Sequence, residues 1–300
     1  MSDSAVSVQH LRKAFGPHVV LDDVSFEVPT GQTFALLGRN GVGKTTMIRT
    51  LLGLLPADAG KIQVAGCDPA TQPIELRRRV GYLAEDQSMY AWMTAHELCR
   101  FLEPFYRQWD RTLASSYLKR FEIPHNVRIE RLSKGQTVKL GLAVALAHSP
   151  QVAILDDPAL GLDSVSRKEF NRDLVEHLQA EGRTVIYSSH LLDEVEAVAD
   201  VVAILDQGRI IRQGPTETLR DEVQRMILPR DVVQRRPPPV GLLDARRQGE
   251  QFEIVVDGAP RFIEELTSTG LTVEATGMSL DDIFEAFVIG RPQVWSEAVA

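Results

Sequence analysis

Cysteine is scarce in this chain, long uncharged runs are missing, and basic residues are outnumbered; each shortage removes a class of protein. Only Cys67 and Cys99 occur, without metal-ligand spacing, which argues against a disulfide framework or a zinc site and for a reducing cytoplasm. The longest apolar candidate, 140–155, is interrupted by His148, Pro150 and Gln151, so no membrane-spanning helix is expected. The leading MSDSAVSVQ has no basic start and no apolar signal core, and no export peptide is expected. The net charge of -8 weighs against a nucleic-acid partner, which would ask for a basic face. No internal repeat is evident, and the one short biased tract is RRPPP at 235–239. What remains is a 300-residue chain of ordinary apolar content, 44%, long enough for a main domain and a smaller second one.

The stretch GRNGVGKTT at 38–46 organises the rest. It follows the apolar run 33–37, read as a buried strand, and leads into Met47, Ile48, Leu51, Leu52 and Leu55, spaced like one helix face. Strand, glycine loop and helix together are the setting of a phosphate-binding loop. Gly38, Gly41 and Gly43 let the backbone turn with its N–H groups inward, Arg39, Asn40 and Val42 lie between them, and the helix N-terminus adds partial positive charge. Lys44 is placed to reach the outer phosphates and the Thr45 hydroxyl to hold magnesium, with Thr46 ending the stretch.

Ahead of the loop, 6–9 and 19–28 read as an antiparallel β-layer joined through a turn that contains Phe15. An aromatic there can stack on an adenine ring or pack under the turn, and the residues alone leave both open. Beyond the loop, 60–64 extends the β-layer, and 80–83 leads into a loop with Glu85, Asp86 and Gln87. Thr94 and Glu97 make a capping box ahead of Leu98, Phe101, Leu102 and Phe105, an amphipathic helix, and a second helix covers 113–121 until Pro124 stops it. Phe105, Tyr106, Trp109 and Trp92 cluster in this helical region and are read as its core, with an exposed docking surface as the alternative. In LSKGQ at 132–136, Ser133 and Gln136 form a capping box, so Ser133 and Gly135 sit at a helix N-terminus that is either simply capped or suited to an anion.

The run 151–155 ends in Asp156 and Asp157. Carboxylates at the C-terminal end of a buried strand lie where parallel sheets bind ligands. Beside a phosphate loop, Asp156 is placed for magnesium and Asp157 to orient an attacking water. The run 184–188 delivers Ser189 and His190 to the same edge, and a phosphate-sensing role is favoured for His190. After closing strands at 201–205 and 209–213, the tail alternates strand and helix at 251–256, 260–267, 271–275 and 280–288, with Ser279 and Asp282 capping the last helix. The tail reads as a small α+β domain, with 235–239 as its linker or as a loop within it.

With these motifs in this order, the chain resembles the ATP-binding subunits of ABC transporters over roughly residues 5–218. The resemblance implies an α/β P-loop NTPase cassette at 1–218, with a parallel sheet core, an antiparallel β-layer and a helical subdomain at about 88–150, then a small α+β domain at 219–300. In that family Phe15 matches the adenine-stacking aromatic, 38–45 the phosphate loop, Glu85 the Q-loop position, 132–136 the signature, 160–163 with Asp163 the D-loop, and His190 the switch histidine. ATP and magnesium are the implied cofactors, with Glu85 at the metal and in catalysis. ATP would be sandwiched between the phosphate loop of one cassette and Ser133, Gly135 and Gln136 of another. The implied partners are therefore a second cassette and a separate integral membrane permease subunit, which would hold the chain at the cytoplasmic face of the cell membrane. GMSLDDIFEAF near the end resembles the accessory segment of exporter-type ATPases, and FYRQWD with LSKGQ resembles their drug-resistance, lantibiotic-immunity and acetoin-utilisation branch.

The chain departs from the family at the acid pair, the Q-loop and the signature. Asp157 stands where Glu is usual, one methylene shorter and withdrawn by about 1.5 Å. Glu85 stands where Gln is common, with Gln87 two residues on, and Lys134 replaces the first signature glycine. The expectation is a magnesium-dependent ATPase subunit of an exporter, slow because of Asp157; the alternative is a degenerate cassette that binds ATP, barely hydrolyses it and supports a partner. A soluble relative acting on ribosomes or DNA is opposed by the single cassette, the acidic balance and the short gap from Glu85 to Leu132.

Overall fold

The computed structural model describes residues 4–174, 182–189, 195–293 and 295. The chain divides into two units, Met1–Arg212 and Gln213–Ala300.

In the first unit, strands β1 (Ser4–Phe15), β2 (His18–Pro29) and β4 (Ala59–Val64) form an antiparallel sheet in the order β2-β1-β4. A second sheet runs β5 (Val80–Leu83), β6 (Val152–Asp156), β7 (Thr184–Ser189), β3 (Thr33–Leu37), β8 (Val201–Asp206) and β9 (Arg209–Pro215). Its pairs from β5 through β8 are parallel. Every residue of β3, β6 and β7 is buried, as in a parallel sheet covered on both faces, and such strands appear in sequence as unbroken apolar runs. The two sheets share one core, in which Phe26 stacks on Phe34 with ring centroids 5.1 Å apart.

Helix α1 (Lys44–Leu51) follows β3 and the glycine loop. It ends before the expected Leu55, because the chain turns back and the Leu54 N–H donates to the Arg49 carbonyl at 2.8 Å. A short helix not foreseen, α2 (Pro73–Arg79), precedes β5. The expected helical region contains α3 (Ala95–Leu102), α4 (Arg111–Arg120) and α5 (Lys134–Leu146), and the capping boxes at Thr94 and Ser133 are both formed. Phe105 is not on α3, since Pro104 sits in a separate 3-10 turn, Glu103–Phe105. Reading the aromatics there as core is also corrected. Trp92 is 63% and Phe105 66% exposed, while Leu98, Ala114, Tyr117, Leu118 and Phe121 supply the buried apolar surface instead. Trp92, Tyr90, Phe101 and Phe105 form a linked stripe with successive ring centroids 5.2, 5.1 and 5.6 Å apart. Tyr106 and Trp109 are half-buried, Tyr106 stacking on the buried His148 at 4.3 Å. Helix α6 (Ser164–Leu174) follows β6.

The second unit is built on an antiparallel sheet in the order β11 (Leu242–Gln248), β12 (Gln251–Asp257), β10 (Val223–Pro229), β13 (Ala275–Gly277). Its helices are α7 (Thr216–Glu222), α8 (Arg230–Gln234), α9 (Ala259–Ser268) and α10 (Leu280–Ile289). Phe252, Ile254, Phe262 and Leu266 pack in one cluster and Val255, Ile283 and Ala286 in another. The alternation of Ile254 and Val255 puts these clusters on opposite faces of the sheet, α9 covering one and α10 the other. Residues 235–239 are a loop inside this unit, between α8 and β11. The strand expected at 271–275 starts only at Ala275, and β10 and β11 were not foreseen.

The stacked, fully buried Phe34 joins the two sheets of the first unit. Phe34→Ala is expected to destabilise that unit by about 3–5 kcal/mol, measured by urea unfolding.

Candidate functional site

The glycine loop is held by close contacts that only glycine permits. A Cβ on Gly38 would lie 2.7 Å from Val42 Cγ1 and 2.8 Å from the Leu205 carbonyl oxygen, so the loop leaves β3 pressed against β8. Gly43, at φ 116°, turns the chain into α1 in a conformation L side chains rarely adopt. Lys44 is buried, and its Nζ donates to the carbonyls of Gly38 (2.6 Å) and Arg39 (3.3 Å). Burial lowers the Lys44 pKa, while the charges of Asp157, Asp156 and Glu85 act in the opposite sense.

Those acids and the loop surround one pocket of about 350 Å³, lined by Asn40, Gly41, Gly43, Lys44, Thr45, Thr46, Glu85, Asp156 and Asp157. Arg39 and Val42 do not line it; they serve the loop, through the Arg39 carbonyl and the Val42 side chain against Gly38. Asp156 ends β6, and its Oδ1 accepts from Ser188 Oγ (2.9 Å) and Thr45 Oγ1 (3.4 Å). Its Oδ2 is buried and has no hydrogen-bond partner among the described residues. Burial raises the Asp156 pKa, Ser188 and Thr45 pull it down, and the charges of Glu85 and Asp157 push it up. Asp157 is buried at φ 44°, and its N–H donates to the Ser188 carbonyl (3.1 Å) and to Ser188 Oγ (3.0 Å). Glu85 reaches the pocket, whereas Gln87 folds back to donate to the Ala84 carbonyl at 2.9 Å.

The remaining candidates lie elsewhere. Ser133 Oγ accepts from the Gln136 N–H (3.2 Å) and Gln136 Oε1 accepts from the Ser133 N–H (3.0 Å), starting α5. Asp163 caps α6 by accepting from the N–H groups of Val165 and Ser166 and from Ser166 Oγ, bonds that hold its carboxyl below the usual range. The two caps are neighbours: a Cβ on Gly135 would lie 3.7 Å from Ser166 Oγ, and one on Gly161 3.4 Å from Lys134 Nζ. Phe15 ends β1 and is 48% exposed. Lys13 Nζ stands 5.5 Å from its ring centroid and donates to Asp58 Oδ1 at 2.9 Å, and Asp58 also accepts the Ala14 N–H at 2.6 Å. His190 lies outside the described residues. Reading the sequence missed Ser188, Lys13 and Asp58, because each acts through a partner distant along the chain.

The ABC transporter family model matches residues 21–160. The linearmycin resistance ATP-binding protein LnrL of Bacillus subtilis (strain 168) is 32% identical over 214 residues, 70% of this chain and 68% of that protein. The Nod factor export ATP-binding protein I of Bradyrhizobium diazoefficiens is 33% identical over 227 residues, 74% of each chain. The chain belongs to the ATP-binding proteins of the ABC transporter family. Among solved structures, an ATP-binding subunit of an ABC transporter matches the ABC fold at a TM-score of 0.66 with 28% identity, covering 73% of this chain and 92% of that one.

The pocket of this ABC protein fits the group its family binds. Loop N–H groups and the start of α1 suit phosphate, and Asp156 Oδ2 with the Thr45 hydroxyl offers hard oxygen ligands. Among the described residues no group of three or more His, Cys, Asp or Glu is placed to hold a metal by itself. Magnesium is usually bound by one or two carboxylates together with substrate phosphates. Gly38→Ala would force the loop off Leu205; displacement near 1 Å can cost about a hundredfold in rate, and a loss of that order in ATP turnover is expected, measured by phosphate release.

Proposed function

We propose that this chain is the ATP-hydrolysing subunit of an exporter, one of two cassettes that close on ATP beneath a separate membrane permease. The observation that carries this reading is the division of the site within one chain. Lys44, Thr45, Glu85, Asp156 and Asp157 line one pocket, whereas Ser133, Gly135, Gln136 and Asp163 are absent from its lining. A capped signature helix outside that pocket would be accounted for by the nucleotide of a second cassette, identical or not. The export direction is supported by relatives named for linearmycin resistance and Nod factor export. A separate permease and a peripheral place at the cytoplasmic membrane face are supported by the exposed aromatic stripe of Trp92, Tyr90, Phe101 and Phe105.

In this reading Lys44 exchanges the carbonyls of Gly38 and Arg39 for phosphate oxygens, and Phe15 offers its exposed ring to adenine. Thr45 and Asp156 would hold magnesium, with Glu85 beside them; magnesium, when bound, would neutralise charge on the outer phosphates. Asp157 accepts a hydrogen bond from the attacking water, and His190 senses the outer phosphate. A second reading, a cassette that binds ATP and barely hydrolyses it, is favoured by Asp157 itself. Its carboxylate is one methylene short, and its backbone is held at φ 44° by Ser188.

Magnesium-dependent ATP turnover of wild type, Asp157→Glu and Lys44→Ala separates the two. Wild type is expected to exceed Lys44→Ala, and Asp157→Glu to be faster by up to about a hundredfold. If only Asp157→Glu turns over while wild type binds ATP, the degenerate reading stands. Trp92→Ala combined with Phe105→Ala is expected to leave ATP binding unchanged and to lower recovery of the chain with native-host membranes, measured by flotation.

A further inference from the structure

We propose that Ser188 is a positioning residue, one hydroxyl that fixes the carboxylate of Asp156 and the backbone of Asp157 together. The proposal rests on the ATPase reading above. Strands β6 and β7 run parallel with Asp156 paired to Ser188. A serine hydroxyl has one hydrogen to give and two lone pairs to accept with, and both capacities are used here. The hydrogen goes to Asp156 Oδ1 at 2.9 Å, and a lone pair takes the Asp157 N–H at 3.0 Å. The other hydroxyl on Asp156 is Thr45 Oγ1, at 3.4 Å a much weaker anchor.

Two consequences follow from the geometry. Asp156 has Oδ1 anchored and Oδ2 left without a partner among the described residues, so its rotamer is set while one oxygen stays available to a cation. Asp157, in the left-handed region at φ 44°, has its N–H direction fixed by two acceptors on one residue, which fixes where its side chain leaves the strand. Ser188 is itself fully buried, so water cannot replace the hydroxyl if it is removed. The cation ligand and the water-orienting acid are thereby coupled to β7, the strand that leads to His190.

Ser188→Ala, Ser188→Thr and Lys44→Ala would be compared as purified full chains. Mn²⁺ affinity is read by electron paramagnetic resonance with a non-hydrolysable ATP analogue, beside ATP turnover and metal-free analogue binding. Removing partners that orient metal ligands commonly costs about 10- to 100-fold in metal affinity, and that loss is expected for Ser188→Ala, with metal-free analogue binding unchanged and Ser188→Thr close to wild type. Mn²⁺ affinity in Ser188→Ala within about twofold of wild type overturns the proposal. So does an equal loss in Ser188→Thr, or a parallel loss of metal-free binding, either of which marks a merely structural serine. Should Ser188→Ala not fold, Ser188→Cys, which keeps the bulk and weakens both bonds, is held to the same limits. Failure of the ATPase reading looks different: wild-type turnover no higher than Lys44→Ala.

Discussion

Leu37 pairs with Ser189 and Asp156 with Ser188, so the ends of β3, β6 and β7 finish level and the phosphate loop, the acid pair and the strand toward His190 start from one line. The rest of the first unit serves that alignment. The three strands are buried along their whole length, and a slip of one residue would turn every side chain to the opposite face. The Phe26–Phe34 stack and the contact of Gly38 with β8 hold the same line from either side. The ends of parallel strands are also where such sheets bind ligands, so stability and chemistry draw on one register.

What could be read from the residues tracked how local the signal was. The buried strands announced themselves as apolar runs, and the Thr94 and Ser133 caps as four-residue patterns, because the partners lie within a turn of helix. The glycine loop and the acid pair were legible as contiguous patterns, each following a buried apolar run. Leu55 was misplaced because helical spacing continues past the turn that ends α1. Trp92 and Phe105 were misread because spacing shows that a face is apolar but not whether anything covers it. Ser188 could not be found at all, since a serine at the end of a strand is ordinary and its partner Asp156 lies 32 residues away. The Lys13–Asp58 pair behind Phe15 is hidden likewise, 45 residues apart.

Charge explains why the site needs all its parts at once. Glu85, Asp156 and Asp157 set three carboxylates against the one ammonium of Lys44 in the same pocket, and burial has already moved both Asp156 and Lys44 toward their neutral forms. A polyphosphate entering alone would meet repulsion from the acids that the loop N–H groups offset only in part. In the proposed reading a divalent cation held by Asp156 would offset that repulsion, and cation and nucleotide binding would be one unit. Glu85, in place of glutamine, is one of those three carboxylates and deepens the dependence. The same reasoning gives the hydroxyls of Thr45 and Ser188 their place, because their hydrogen bonds oppose the rise that burial causes in the Asp156 pKa.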